Sequence, residues 1–219
     1  MNTLGPTIIY LLQGGLVTFS IWIVTVVFSL PLAAFVAYIR KMNNKIVNTV
    51  LGIYTTVVRG TPLLFQLIFV YFGLPIMLKI QISPFVAASI AFINSWTIYM
   101  SEIIRGNIEG IDKGQYEAGQ VLGMNYSQIM VNIVFPQAFV TALPSLCNQA
   151  IEAIWGTSLL STIGMDDVLK SARVILMRDF SIQPFLIAGV IYLLFNGAVV
   201  LLFKKIEERT SRFRIQYAK

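Results

Sequence analysis

Residues 112–139 read DKGQYEAGQVLGMNYSQIMVNIVFPQAF, and the fold is decided there. The stretch interrupts two apolar runs, yet it is itself patterned for structure. Asp112, followed three residues on by Gln115, reads as an N-cap with its reciprocal partner opening a short helix. Gly123 suits the left-handed residue that closes one. Asn125 with Gln128 then repeats the start signal. The expectation is a helix, a glycine turn and a second helix, where a plain connection between two spans needs only a few polar residues. A folded loop in that position predicts a docking surface.

Outward from this loop the chain is apolar. Of 219 residues, 57% are hydrophobic and 12% charged, with no histidine, whereas about a quarter of a soluble domain is charged. A single membrane domain is the economical reading. One cysteine, Cys147, excludes an intrachain disulfide and reads as a small buried hydrophobe. The net charge of +6 does not point to nucleic acid, because the basic residues cluster at span ends and in the tail.

Five spans are expected, at about residues 16–39, 47–78, 85–104, 129–163 and 185–203. Residues 1–39 carry no charge, so the basic segment of a signal peptide is missing and the N-terminus is free to cross. Pro31 is a candidate kink. Arg40, Lys41 and Lys45 follow in a short loop, which the positive-inside rule puts in the cytoplasm with the N-terminus outside. The first loop, Arg105, Lys113 and the tail (Lys204, Lys205, Arg209, Arg212, Arg214, Lys219) hold eleven Lys and Arg on that side, against four on the other. The C-terminus is therefore expected inside. Residues 164–183, with acids and bases mixed, form the outer loop.

Several polar residues fall where lipid would not tolerate them. Arg59 lies beside Gly60 and Pro62 within the second span; it binds a substrate carboxylate or a charged partner, or it snorkels to the interface. Asn94, Ser95, Trp96, Thr97 and Tyr99 occupy the middle of the third span, as interhelical hydrogen bonds or as a lining. Glu102 and Arg105 are spaced to pair. The fourth apolar segment exceeds one straight crossing, so its start is expected along the interface and its end bent or unwound. Within it, Asn148, Glu152 and Trp155 share a helical face that suits an ammonium or guanidinium group. The other readings of Glu152 are a buried pair with Arg59 and an acid at the outer interface.

The loop residues Glu117, Ala118 and Gly123, with Pro136 and Gln137 downstream, resemble the EAA motif of membrane subunits in bacterial ATP-binding cassette importers. Arg59-Gly60-Thr61-Pro62-Leu63-Leu64, continuing through Gln66 to Tyr71-Phe72-Gly73-Leu74-Pro75, is similar to the second-span signature of the branch that imports polar amino acids. Tyr99, Glu102, Arg105, Gly106, Gly114 and Gln115 fit the run into the loop, and Asn148 with Thr157-Ser158-Leu159 fits the segment after it. The resemblance implies an all-α integral membrane protein of the type I importer fold, in the bacterial inner membrane, with five transmembrane helices and a cytoplasmic coupling helix at about 112–128. It implies further that Gln115, Glu117, Ala118 and Gly123 couple to a pair of ATPase subunits. A second membrane subunit and an external solute-binding protein complete the assembly. The candidate substrate contacts are Glu152, Asn148, Trp155, Asn94, Arg59 and Gln66. The chain departs from the family at Trp155-Gly156, where relatives usually show a lysine-aspartate pair.

No phosphate-cradling glycine run, metal-ligand cluster or nucleophile-histidine pair occurs, so no catalytic or metal site is expected. ATP and magnesium belong to the partner ATPase. The leading reading is the membrane subunit of an importer for a polar amino acid, with Glu152 favouring a basic one. An ion-gradient-driven transporter is the alternative, but the inverted repeats common in that class are not visible. An intramembrane enzyme is disfavoured by the missing histidine.

Overall fold

The computed structural model describes residues 4–41 and 44–215. All regular structure among them is helical. Helix α1 (Leu4–Lys41) is followed by α2 (Lys45–Gly60) and α3 (Leu63–Ile68), which runs through a π-helical turn, Phe69–Gly73, into α4 (Leu74–Leu78). Next come α5 (Pro84–Glu109), α6 (Lys113–Val121) and α7 (Tyr126–Ile129). A second π-helical turn, Met130–Val134, leads into α8 (Phe135–Gly156), which tightens into a 3-10 helix over Thr157–Ile163. Helices α9 (Val168–Asp179) and α10 (Gln183–Ile215) complete the order.

Three helical stretches are long and apolar enough to cross a membrane: Leu4–Lys41, Tyr126–Ile163 and Gln183–Thr210. The expected second span is instead two pieces, Lys45–Gly60 and Leu63–Leu78, set at 103° to each other. The break falls at Thr61-Pro62. Pro62 has no N–H to continue the helix, and it pushes the residue before it out of helical conformation; Thr61 is extended at φ −112°. Helix α5, at 26 residues, has the length for a crossing but carries Asn94, Ser95, Thr97, Tyr99 and Ser101. The first and last helices begin before, and the third and last end after, the bounds expected from hydropathy. Polar residues within a turn of a span do not stop a helix whose backbone bonds are already running. Helix α1 continues through Pro31. Lys219, the end of the basic tail, lies outside the described residues.

Packing centres on α5, which lies chiefly against α1 and α8. The buried residues of α1 are Thr7, Leu11, Gly14, Thr18, Ile21, Trp22, Thr25, Ser29, Ala33 and Ala37, a single stripe of mostly small side chains. Leu12, Leu16, Phe28 and Phe35 point away from the bundle and are exposed. Small residues inward and large apolar ones outward is the membrane arrangement, since lipid is as good a solvent for leucine as a neighbouring helix is. Buried hydroxyls turn back on their own helix: Thr25 donates to the Ile21 carbonyl at 2.7 Å and Ser101 to that of Ile98 at 2.8 Å.

Helix α9 lies across α1 and α10. Its N-cap is Asp167, fully buried, whose carboxylate accepts from the Leu169 and Lys170 amides at 3.0 and 3.2 Å. A Cβ at Gly14 would sit 2.6 Å from Ser171 Oγ and 2.8 Å from the Asp167 carbonyl oxygen, so glycine is what lets α1 approach. Gly14→Leu is expected to cost about 1–3 kcal/mol by overpacking, read as a lower thermal midpoint in detergent. Burial pushes the Asp167 carboxyl above the usual range, against the backbone amides and Tyr192 hydroxyl that stabilise its charge. A carboxyl with a raised folded-state pKa contributes stability at low pH that is lost as pH rises through that value. Because asparagine caps as well as aspartate, Asp167→Asn should gain on the parent in thermal midpoint as pH rises from about 4. A difference that stays constant across that range would contradict this.

Candidate functional site

The loop between α5 and α8 is a rigid helical wedge. Asp112 caps α6 by accepting from the Gly114 amide at 2.7 Å. The expected reciprocal bond from Gln115 is not made. Gln115 Oε1 accepts instead from Gln137 Nε2 at 3.1 Å, a side-chain donor on α8 that competes with the Asp112 backbone amide for the same oxygen. Gly123, at φ +74°, closes α6 with paired bonds: its amide donates to the Gln120 carbonyl at 2.9 Å and the Met124 amide to that of Gly119 at 3.0 Å. Asn125 and Gln128 form the full reciprocal box, at 2.9 and 2.8 Å. Gly119 is buried against Ile129 and Ile133; a Cβ there would lie 2.7 Å from Ile129 Cγ1. The opposite face of α6 is bare. Glu117 and Ala118 are exposed, and beside them Val121 and Leu122 are 87% and 76% exposed.

The wedge is held to the bundle at the α1 and α5 ends. Tyr126 donates to the Lys41 carbonyl at 3.0 Å, and Tyr38 to Ser127 Oγ at 3.3 Å. Glu102 pairs with Arg105 at 2.9 Å, as its spacing predicts, and also with Arg40 of α1. Arg105 and Lys41 both reach Glu109, at 2.7 and 3.1 Å. The Glu102 and Arg40 side chains are only 14% and 16% exposed, so removing one strands a poorly solvated charge.

On α8, Asn148, Glu152 and Trp155 share one face and all three are exposed. The face exists because the opposite side of the helix is committed to its neighbours. The indole N–H groups of Trp22 and Trp96 donate to the Ala150 and Gln149 carbonyls, each at 2.8 Å. Gln149 Nε2 donates in turn to Glu152 Oε2 at 2.7 Å, which orients the carboxylate. Gly156 lies beneath the Trp96 ring, where a Cβ would meet the indole at 2.8 Å. That contact explains why a larger residue is missing from the second position of Trp155-Gly156.

The remaining candidates group around the break in the second span. Asn94 and Gln66 line one cavity of about 430 Å³, together with Tyr54, Thr61 and Phe65. Asn94 Oδ1 accepts from the Tyr54 hydroxyl. The amide nitrogen of Gln66 is consumed locally, donating to the Val58 carbonyl at 2.9 Å and to both oxygens of Thr61. It braces the kink, and only its buried, unpartnered Oε1 faces no donor. Arg59 is exposed, its guanidinium 5.7 Å from the Tyr99 ring centroid. Arg59 and Glu152 are not partners, so the reading of a buried pair is wrong for this chain: α2 turns Arg59 toward Tyr99, and Glu152 takes Gln149. The two groups of candidates share no hydrogen bond among the described residues.

Sequence reading passes over Gln149, and it notes Gln137 and Arg40 only for the motif and the loop charge, without the contacts they make. Gln149 stands three before Glu152, a spacing that could have been noticed; Gln137 and Arg40 act across 22 and 62 residues, which no local pattern reveals.

Residues 7–212 match the family model described as binding-protein-dependent transport system inner membrane component. The chain is 31% identical over 206 residues to a putative glutamine transport system permease protein of Rickettsia bellii, with 94% of each chain covered. Against the arginine transport system permease protein of Bacillus subtilis it is 34% identical over 205 residues, covering 93% of this chain and 94% of that one. Among solved structures, a "crystal structure of an amino acid ABC transporter with histidines" superposes with a TM-score of 0.81 at 30% identity, over 91% of this chain and 94% of its own. The inward-facing MetNI methionine ABC transporter, at 14% identity, shares the fold with a TM-score of 0.75 over 94% and 98% of the two chains. With the capped helical wedge between its spans and a family match running almost end to end, the chain belongs to the binding-protein-dependent transport system inner membrane components, among the amino acid ABC transport permeases.

Proposed function

We propose that this permease subunit carries a polar amino acid inward, with α6 as the helix that seats in a separate ATPase subunit. The observation that carries the reading is the bare face of α6. Val121 and Leu122 are almost fully exposed on a helix capped at both ends and buttressed from behind. An exposed apolar pair on a rigid support, next to the acid Glu117, fits a partner surface. Gln115, Glu117, Ala118 and Gly123 then serve coupling, Glu117 and Ala118 at the contact and the other two by holding its shape.

Energy comes from ATP and magnesium bound by the partner ATPase pair. Closure of that pair moves two such wedges, one per membrane subunit, and shifts the bundles between inward-open and outward-open states. Such a shift needs partners that bind the two states differently. The exposed faces of α2 and α8 belong against a second membrane subunit, as homodimer or related heterodimer, with the pathway between them. The bases at the α6 end support, by the positive-inside rule, a cytoplasmic position for that end and the C-terminus, with the N-terminus and α9 on the outer side, where a solute-binding protein would deliver its cargo.

Glutamine and arginine, named for two relatives, are both polar α-amino acids. Asn148, Glu152 and Trp155 form the substrate-contacting face, with Arg59, Asn94 and Gln66 along the same route. A carboxylate held by Gln149 beside an indole suits a guanidinium or ammonium side chain.

The first test is co-purification of the tagged subunit in mild detergent, followed by ATPase assays with candidate amino acids and their binding protein. Recovery of an ATPase stimulated by one amino acid is the expected result; transport in vesicles under an ion gradient, with no ATPase recovered, would overturn the reading. Gly123→Pro should leave the subunit inserted but uncoupled, because proline cannot adopt φ +74°; transport at the parent rate would exclude α6 as the coupling element. Glu152→Gln should lower uptake of a basic amino acid about tenfold more than uptake of a neutral one, the equivalent of one charge-assisted hydrogen bond. Equal losses for both cargoes would make Glu152 a structural residue.

A further inference from the structure

Between the α6 wedge and the Asn148, Glu152 and Trp155 face of α8 the chain passes through α7 and the π-helical turn Met130–Val134. A π-helical turn is a local irregularity of the hydrogen-bond ladder, common where a helix must serve a function. Motion of α6 therefore reaches α8 along the chain only through this irregular joint. A second route bypasses it. Gln137 stands on the first turn of α8, just beyond the joint. Its Nε2 carries two protons, and both are used: one goes to the Ile133 carbonyl at 2.9 Å and the other to Gln115 Oε1 on α6 at 3.1 Å. Gly119 packs α6 against the joint itself, on Ile129 of α7 and Ile133 of the π-helical turn, so the Gln115–Gln137 bond is the contact that reaches α8 proper.

We infer that Gln137 and Gln115 form an amide clasp that transmits the displacement of α6 to α8, making Gln137 a positioning residue for transport. The inference rests on the reading of α6 as the ATPase-seating helix. Donor and acceptor have fixed places in it. Gln137 must donate, since a carboxylate there would face the Ile133 carbonyl, whereas position 115 need only accept. Asn148, eleven residues beyond Gln137, lies three turns farther along the same helix at about 1.5 Å per residue, or roughly 16 Å away. A shift of the α8 base is thus carried to the substrate-contacting face by a continuous helix.

The experiment measures amino acid molecules moved per ATP hydrolysed by the purified complex in vesicles, normalised to assembled ATPase. Gln137→Leu and Gln115→Leu are each expected to lower that ratio roughly five- to tenfold, the scale of one lost hydrogen bond. The double substitution should be no worse than either alone, because both remove the same contact. Gln115→Glu, which keeps the acceptor, should retain the parent ratio; Gln137→Glu, which removes the donor, should lose it. Multiplicative losses in the double variant, an unchanged ratio in Gln137→Leu, or equal behaviour of the two glutamate variants would overturn the clasp. A parent complex that recovers no ATPase would instead overturn the reading beneath it, so the two failures are distinguishable.

Discussion

Two indole N–H groups fix the rotation of α8, and the direction of its candidate face follows from that rotation. Trp22 comes from α1 and Trp96 from α5, yet they donate to consecutive carbonyls, those of Ala150 and Gln149. Inside an apolar bundle an unpaired indole N–H costs free energy, so each tryptophan is bound to find an acceptor. Meeting on one turn, the pair leaves α8 a single azimuth. Asn148, Glu152 and Trp155 then have only the open side to face. Gly156 belongs to the same constraint, since the Trp96 ring takes the space its side chain would need.

Polar contacts set helix register throughout the molecule, and the reason is the solvent. Apolar side chains gain little by leaving lipid for a neighbouring helix, so burial alone does not choose one rotation over another. The choice is made by groups that must pair. Arg40 ties α1 to Glu102 of α5 and lies 3.5 Å from Thr55 of α2. Tyr126 and Tyr38 bind the wedge to α1. At the opposite end, Asp167 caps α9 where Gly14 admits it. Individually these bonds contribute about 1 kcal/mol each; collectively they select a single arrangement among many of similar apolar packing.

What the sequence disclosed were features with a local cause. Gly123 and the Asn125–Gln128 box are legible because a positive φ and a reciprocal cap need particular residues at fixed spacing. The Glu102–Arg105 pair is legible for the same reason, being one helical turn apart. The shared face of Asn148, Glu152 and Trp155 follows from the period of a helix. Gln115 misled, because its spacing from Asp112 satisfies the local rule while a residue 22 positions away offers a competing contact. Gln66 has a second role that the sequence does not show: the break at Pro62 frees the Val58 carbonyl and the Thr61 oxygens, which its amide nitrogen satisfies while the side chain lines the cavity. Arg59 and Glu152 have opposite charges and comparable depth in the sequence, yet a bend of 103° between the halves of the second span decides their neighbours. No hydropathy profile contains that angle.

The wedge differs from everything around it in the force available to it. Along α1 and α10, exposed leucines and phenylalanines such as Leu16, Phe28, Leu193 and Leu201 gain little from a protein partner over lipid. Helix α6 lies beyond the ends of the spans, where burial removes apolar surface from water at about 25 cal/mol per Å². Val121 and Leu122 are therefore worth roughly 1.5–3 kcal/mol each when fully covered, more than most single polar contacts in the bundle. That gain is usable only if α6 does not have to be ordered first, since ordering each residue costs about 1–2 kcal/mol. The Asp112 cap, the Gly123 closure and the Gly119 contact against Ile129 order it in advance. Pre-ordering of the loop and exposure of its apolar pair are thus the two conditions that the proposed docking of α6 requires, and neither would suffice alone.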